Sequence, residues 1–338
     1  MTPAQALAVD VPAEVRAPFI RPPGRALMLG HVHPDADVLG ALLGLGLALD
    51  DRGWTVTWGG PHPAPEVLRF LPGVERYRRL ERLTGPFDVV VTADCPNPGR
   101  MEGLLEQARA LAVVVVNIDH HGDNRRYGDV NWIDTTAAAT GEMVYGLLVA
   151  LGSSITPAIA TNLFTAIHTD TGSFRYSNVT PKTFHVAGAL VAAGADPASV
   201  GGCLYERRGP ESLRWLSETL GRVRVSEDGR LAWLTLATGA VPDAFIEAEE
   251  LVNYPRSLAS VRVACLLREQ GGQVKVSLRA KGDVDVSRIA ARFGGGGHPN
   301  AAGCTVAGPL GRATDEVLAA VRAALDGSPP GEVSSSGA

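Results

Sequence analysis

The chain has 338 residues, 45% of them apolar and 20% charged, with a formal net charge of −5. That length exceeds the ~250–300 residues at which one core stops growing, so two domains are expected. The acidic balance excludes wholesale coating of nucleic acid, which needs a basic face, but leaves room for an anionic substrate held by cations and a few arginines.

The four cysteines, Cys95, Cys203, Cys265 and Cys304, are scattered and form no CxxC pair, as expected of reduced thiols in a cytosol. No basic-then-apolar leader opens the sequence, and the apolar runs stop well short of the ~18 residues a membrane span needs. The expectation is a cytoplasmic protein with no membrane span.

In chain order, residues 1–24 are rich in Pro and Ala and read as an irregular lead-in. Residues 25–30 (RALMLG), 54–58, 87–93 and 112–118 read as strands, and 38–50 and 100–111 as helices. Continuous apolar runs of this kind mark parallel strands buried on both faces, and their alternation with helices gives a doubly wound sheet. Helices are expected over 137–151, 157–168 and 181–194, and a partly helical connector over 195–225. The texture then changes to alternating strands at 231–236, 260–267 and 273–280, with helices at 286–293 and 312–325. The closing GSPPGEVSSSGA is a disordered tail by composition. The fold class is therefore α/β. A doubly wound, mostly parallel N-terminal domain is expected at 25–195, a helical linker at 196–225, and a smaller C-terminal α/β domain at 226–326 across a cleft.

Residues that bind hard divalent cations concentrate in four places. They are His31-Val32-His33-Pro34-Asp35-Ala36-Asp37 after the first strand, Asp94 at the end of the third, Asp119-His120-His121 at the end of the fourth, and Asp170 after a helix. Taken singly, Asp94 reads as a helix N-cap, and Asp35 and Asp37 read as turn residues. Taken together, they lie at strand carboxyl ends, where ligands bind in open α/β sheets. Several carboxylates there repel one another and lose solvation, and a cation resolves both problems. Carboxylate and imidazole without thiolate favour Mn²⁺, with Mg²⁺, Co²⁺ or Fe²⁺ as competitors. The number of ligands points to two ions, which at ~3.5–4 Å apart stabilise both oxygens of a phosphoryl displacement. Asp134, His33, His62, His168 and His185 have no such joint support and read as structural or solvent-exposed.

These residues resemble the DHH phosphoesterase superfamily, whose namesake motif is Asp119-His120-His121. Its first motif, HxxPDxDxxG, is matched by His31 to Gly40, its second by Asp94, and its fourth by Asp170-Thr171-Gly172-Ser173-Phe174. Downstream, Gly294-Gly295-Gly296-Gly297-His298-Pro299-Asn300-Ala301-Ala302-Gly303 is similar to the signature of the DHH-associated C-terminal domain. One departure is Ala41, where the first motif usually has Ser. The resemblance implies that His31 and Asp35 bind one metal, that Asp37, His120 and Asp170 bind the second, and that Asp94 bridges both. It implies that Asp119 orients an imidazole and that His121 faces the scissile phosphate as donor or general acid.

Size and layout look most like the NrnA-type subgroup, which degrades short oligonucleotides (nanoRNA) and dephosphorylates 3′-phosphoadenosine 5′-phosphate. The mechanism implied is attack by a metal-bridging hydroxide with no covalent intermediate. A homodimer is compatible with the resemblance. Competing readings are a cyclic di-AMP or pApA phosphodiesterase, a pyrophosphatase and, from another class, a non-catalytic nucleotide-binding protein.

The second domain supplies a candidate substrate site. Consecutive glycines leave N–H groups to meet an anion, and His298 can donate to a phosphate or stack on a base. Arg279 in the strand VKVSLRA can clamp a terminal phosphate through both ends of its guanidinium. The expected substrate-binding set is Ser277, Arg279, Gly295, Gly296, Gly297, His298 and Asn300.

Overall fold

Strands β1 (Arg25–Leu29), β2 (Thr55–Gly60), β3 (Tyr77–Arg79), β4 (Val89–Ala93), β5 (Val115–Asp119) and β6 (Val130–Ile133) pair in parallel in the order β3-β2-β1-β4-β5-β6. β4 and β5 are buried along their whole length and are mainly apolar, with Thr92 and Asn117 as buried polar residues within them. Alternate residues serve two cores. Ala26, Met28, Val89 and Val91 face one layer, while Leu27, Leu29, Val90 and Val115 face the other.

The computed structural model describes residues 11–241 and 251–327, which divide into two compact units meeting at Arg207 and Arg208 in sequence. The tail beyond 327, expected to be disordered, and the first ten residues of the lead-in lie outside the described residues.

The first unit also holds α1 (Ala13–Arg16), α2 (Ala36–Asp51), α3 (Leu104–Leu111), α4 (Thr140–Ala150), α5 (Pro157–Asp170), α6 (Pro181–Ala192) and α7 (Pro197–Tyr205). α3 covers one face of the sheet, and α2, α4 and α5 pack on the other. The helix α2 is apolar nearly all round and lies in the core. It approaches α5 so closely that a Cβ at Gly40 would stand 2.4 Å from the carbonyl oxygen of Asn162.

The lead-in is not wholly irregular. Val15 in α1 and Phe19 in the 3-10 turn after it are buried in the main core, which orders that segment. Two further corrections concern β3 and β6. Both are short and only partly buried, so neither carries the apolar run that marks the inner strands.

The second unit contains α8 (Pro210–Leu220), β7 (Arg224–Val225), β8 (Leu231–Leu236), α9 (Asn253–Ser257), β9 (Val263–Gln270), β10 (Gln273–Ala280), α10 (Val286–Ala291), β11 (Gly296–His298), β12 (Ala301–Ala307) and α11 (Leu310–Gly327). Its strands form a mixed sheet in the order β11-β12-β10-β9-β8-β7, with β8 and β9 parallel and the other pairs antiparallel. β9 and β10 are joined by Gly271 and Gly272, both at positive φ, the conformation a two-residue hairpin turn demands. Alternation along β10 buries Val274, Val276 and Leu278 and leaves Lys275, Ser277 and Arg279 on the other face.

Candidate metal centre

The strand order reverses at β1, and ligands of open α/β sheets bind at the carboxyl edge beside such a switch. The register aligns the strand ends there: Leu29 pairs with Thr92, and Ala93 with Ile118. His31 therefore follows β1, Asp94 follows β4, and Asp119-His120-His121 closes β5. α2 begins at this edge, with Asp35 as its N-cap and Asp37 in its first turn, and α5 ends on Asp170.

Asp94 is the residue that joins the groups. Its N–H donates to the Ile118 carbonyl at 3.0 Å, after which its backbone is left-handed at φ 53. Asp tolerates that region better than most residues, and such conformations gather at functional sites. Ligand atoms of His31, Asp35 and Asp94 all lie within 4.8 Å of one another, and so do those of Asp37, Asp94 and His120. Asp170 stands beside the second group, its Oδ2 3.5 Å from Nε2 of His120.

The imidazoles are oriented from behind. Nδ1 of His120 lies 3.2 Å from the Ala137 carbonyl, and a carbonyl only accepts, so Nδ1 carries the proton. Nε2 is thereby turned to Asp94 (3.3 Å), Asp170 (3.5 Å) and Asp37 (3.7 Å). Nδ1 of His31 lies 2.8 Å from the Val32 carbonyl, which leaves its Nε2 as the lone-pair nitrogen. Asp119 is fully buried. Its Oδ1 accepts from the N–H of His120 (2.8 Å) and of His121 (3.2 Å) and from Nδ1 of His121 (2.8 Å), and its Oδ2 accepts from Asn124 at 2.5 Å.

Electrostatics record the crowding of like charge. Burial, then Asp94 and Asp170, raise Asp37 well above the usual carboxylate range. Burial raises Asp170 to about 6 against the pull of His120. Asp94 goes the other way: burial alone would raise it, but the imidazoles of His120, His121 and His31 hold it below its ordinary value. Burial disfavours the charged form of His120, yet the surrounding carboxylates raise its pKa well above normal. A proton on Nε2 thus sits where the carboxylates converge.

That arrangement fits a divalent cation. His31 Nε2 is buried with no hydrogen-bond partner among the described residues, and Asp170 Oδ2 accepts no hydrogen bond among them. Nitrogen and oxygen donors without thiolate suit Mn²⁺ or Mg²⁺.

Four residues in this cluster are not legible as site residues in the sequence. The N–H groups of Thr140 and Gly141 grip both oxygens of Asp37, Asn124 holds Asp119, and Arg100 touches His31. No local pattern marks them, because each acts through a tertiary contact. α4 begins at Thr140 rather than at residue 137, since Ala139 is extended, and this places its first N–H groups on Asp37. The histidines set aside as structural are packed elsewhere: His33 and His62 meet edge to face at 4.4 Å, and His168 stacks on Phe164 at 5.7 Å.

In the second unit, Ser277 and Arg279 lie on β10 opposite Gly303 and Ala301 of β12, and β12 pairs on its other side with β11, which carries Gly296, Gly297 and His298. The glycine run is therefore an edge strand rather than an open loop. The N–H groups of Gly294 and Gly295 are taken by the carbonyls of Ala291 and Ala290, which corrects the reading of those two as anion donors. The glycines answer to space instead: a Cβ at Gly295 would stand 2.1 Å from the Gly303 carbonyl oxygen. Asn300 contributes a backbone carbonyl to the Ala280 N–H at 2.9 Å.

Residues 25–167 match the DHH family, N-terminal domain, and residues 245–327 match the DHHA1 domain. Over 296 residues the chain is 36% identical to the bifunctional oligoribonuclease and PAP phosphatase NrnA of Thermus thermophilus, covering 87% of this chain and 88% of that protein. The chain belongs to the DHH family. A second DHH-family relative, the Bacillus subtilis protein of the same name, is 28% identical over 82% of this chain and 87% of its own. Among solved structures, an exopolyphosphatase-related protein from Bacteroides fragilis superposes with a TM-score of 0.82 at 25% identity, covering 94% of this chain and 97% of that one.

Proposed function

We propose that this chain is a metal-dependent phosphoesterase that hydrolyses short oligoribonucleotides and 3′-phosphoadenosine 5′-phosphate. The observation that carries the reading is Asp94, whose carboxylate is the common corner of two ligand groups. The identity with a named oligoribonuclease and PAP phosphatase along 87% of the chain supports the substrate class.

In this reading His31 and Asp35 hold one divalent cation, Asp37, His120 and Asp170 hold the other, and Asp94 serves both. Mn²⁺ suits the donors best, with Mg²⁺ or Co²⁺ as substitutes. Bound there, the cations supply charge neutralisation of the phosphate and acidification of the attacking water. Asp119 fixes the His121 ring through Nδ1, so Nε2 is the nitrogen that delivers a proton to the departing oxygen. Burial is the largest influence on His121 and lowers its pKa, but its hydrogen bond to Asp119 together with the charges of Asp94 and Asp119 raises it overall, which favours the donor form. In the second unit, Ser277, Arg279, Gly296, Gly297, His298 and Asn300 form the substrate-binding group, with the Arg279 guanidinium suited to a terminal phosphate. Small nucleotide substrates fit a cytoplasmic setting, and among the described residues no single helix is long and apolar enough to cross a membrane.

The test is a panel of short oligoribonucleotides, 3′-phosphoadenosine 5′-phosphate, pApA and cyclic di-AMP, each with purified protein in Mn²⁺. The expected result is Mn²⁺-dependent hydrolysis of the first two, lost in Asp94→Ala without loss of the fold. Near-normal turnover by Asp94→Ala would overturn the metal assignment, and preference for cyclic di-AMP would overturn the substrate.

A further inference from the structure

A positive charge stands at this site that no carboxylate meets in a hydrogen bond or close ion pair among the described residues, although the Asp35 carboxylate lies near enough to feel it. Arg100 lies in the 3-10 turn Pro98–Met101 that follows β4. Its Nη2 is 3.1 Å from Nδ1 of His31, its sole side-chain hydrogen-bond partner among the described residues. The backbone holds it in place: the Val32 N–H donates to the Arg100 carbonyl at 2.8 Å, and the Arg100 N–H donates to the Asn97 carbonyl at 3.1 Å. Arg100 is half-buried, so its charge is only partly screened by water.

The contact with His31 does not satisfy the guanidinium. The proton on Nδ1 of His31 points to the Val32 carbonyl at 2.8 Å, and a protonated ring nitrogen does not accept. Arg100 and His31 therefore present donor to donor. A cation held by His31 adds a second positive charge beside the first. An anion with several oxygens removes both conflicts, because it accepts from the guanidinium and balances the cation. Phosphate has that form, and the planar fork of Arg matches it through two parallel hydrogen bonds.

We propose that Arg100 is a substrate ligand that donates to non-bridging oxygens of the scissile phosphate on the side of the site formed by His31 and Asp35. This rests on the phosphoesterase reading and assigns one residue within it.

The experiment compares wild type with Arg100→Ala and Arg100→Lys in three measurements. They are Mn²⁺ affinity by calorimetry, inhibition by inorganic phosphate at saturating Mn²⁺, and steady-state kinetics on 3′-phosphoadenosine 5′-phosphate. Arg100→Ala is expected to keep or tighten Mn²⁺ binding. It should weaken inhibition by phosphate and lower kcat/KM by about 10- to 100-fold, the size of one or two charge-assisted hydrogen bonds. Arg100→Lys should recover part of each loss. Weakened Mn²⁺ binding with unchanged phosphate inhibition would overturn the proposal and make Arg100 a positioning residue for His31. Unchanged values in all three would overturn it as well. Should Arg100→Ala fail to fold, Arg100→Gln, which keeps most of the volume, carries the same test. A wild type that binds Mn²⁺ and phosphate but hydrolyses no phosphoester would sink the functional reading, while phosphate binding would still decide Arg100.

Discussion

The N–H of Thr140 donates to Oδ2 of Asp37 at 2.7 Å, from 103 residues away in sequence. The next N–H, of Gly141, donates to Oδ1 at 2.8 Å, so the positive end of α4 grips the whole carboxylate. A Cβ at Gly141 would stand 2.5 Å from Cβ of Ala166 on α5 and push the two helices apart. Gly141→Val should therefore cost about 1–3 kcal/mol of stability by overpacking and weaken Mn²⁺ binding by loosening Asp37. Thr140→Ala keeps the backbone donor and loses only the hydroxyl bond to Asp94 at 3.2 Å, so its effect on both should be small. Thermal melting of the metal-free proteins and calorimetric Mn²⁺ titration check the pair.

Asp119→Asn replaces an all-acceptor carboxylate that receives four hydrogen bonds with an amide that accepts through one atom. His121 then loses the partner that sets its tautomer. The expected result is a drop in kcat of about 10–100-fold, the usual cost of removing such a supporting partner. The pH profile of kcat should shift to lower pH, since the hydrogen bond to Asp119 and its charge, with that of Asp94, raise the His121 pKa against burial. A profile that does not move would show that Asp119 does not govern that imidazole.

The parts of this site that were legible in the sequence are those in short acidic and histidine motifs, at the strand ends, at the start of α2 and at the end of α5. Mainly apolar runs ending in His31, Asp94 and Asp119 mark parallel strands, and parallel register brings their ends together. What was not legible depends on helix packing. Nothing near Thr140, Asn124 or Arg100 in sequence announces a carboxylate or imidazole partner, because each partner is set by tertiary contact. The glycine run shows the limit from the other side. Its composition states that the backbone needs room, but whether for an anion or for a neighbouring strand is decided by β12.

Metal-free protein should lose stability as pH rises from about 4 to about 6. Burial pushes Asp170 up to about 6 in the folded chain from its ordinary value of 3.8. Its raised value contributes stability that is complete below 3.8 and is lost as pH climbs through about 6. Asp37, raised for the same reason, adds in the same sense. Cations need the deprotonated ligands, so Mn²⁺ should reverse the slope, stabilising more at pH 7 than at pH 5. Melting curves across that range, with chelator and with Mn²⁺, provide the check.

Gly297 stands at φ 134, and a Cβ there would lie 2.6 Å from the Ala301 carbonyl oxygen. Gly297→Ala should therefore disrupt the β11–β12 edge and raise KM for nucleotide. Mn²⁺ binding, whose proposed ligands all lie in the first unit, should be unchanged. Calorimetry and steady-state kinetics on the same variant separate the two effects.

The most direct measurement is anomalous scattering at the manganese edge from crystals grown with Mn²⁺. Two peaks about 3.5–4 Å apart are predicted, with the Asp94 carboxylate touching both, His31 and Asp35 on one side, and Asp37, His120 and Asp170 on the other. No peak within this cluster, or peaks that leave Asp94 untouched, would contradict the account.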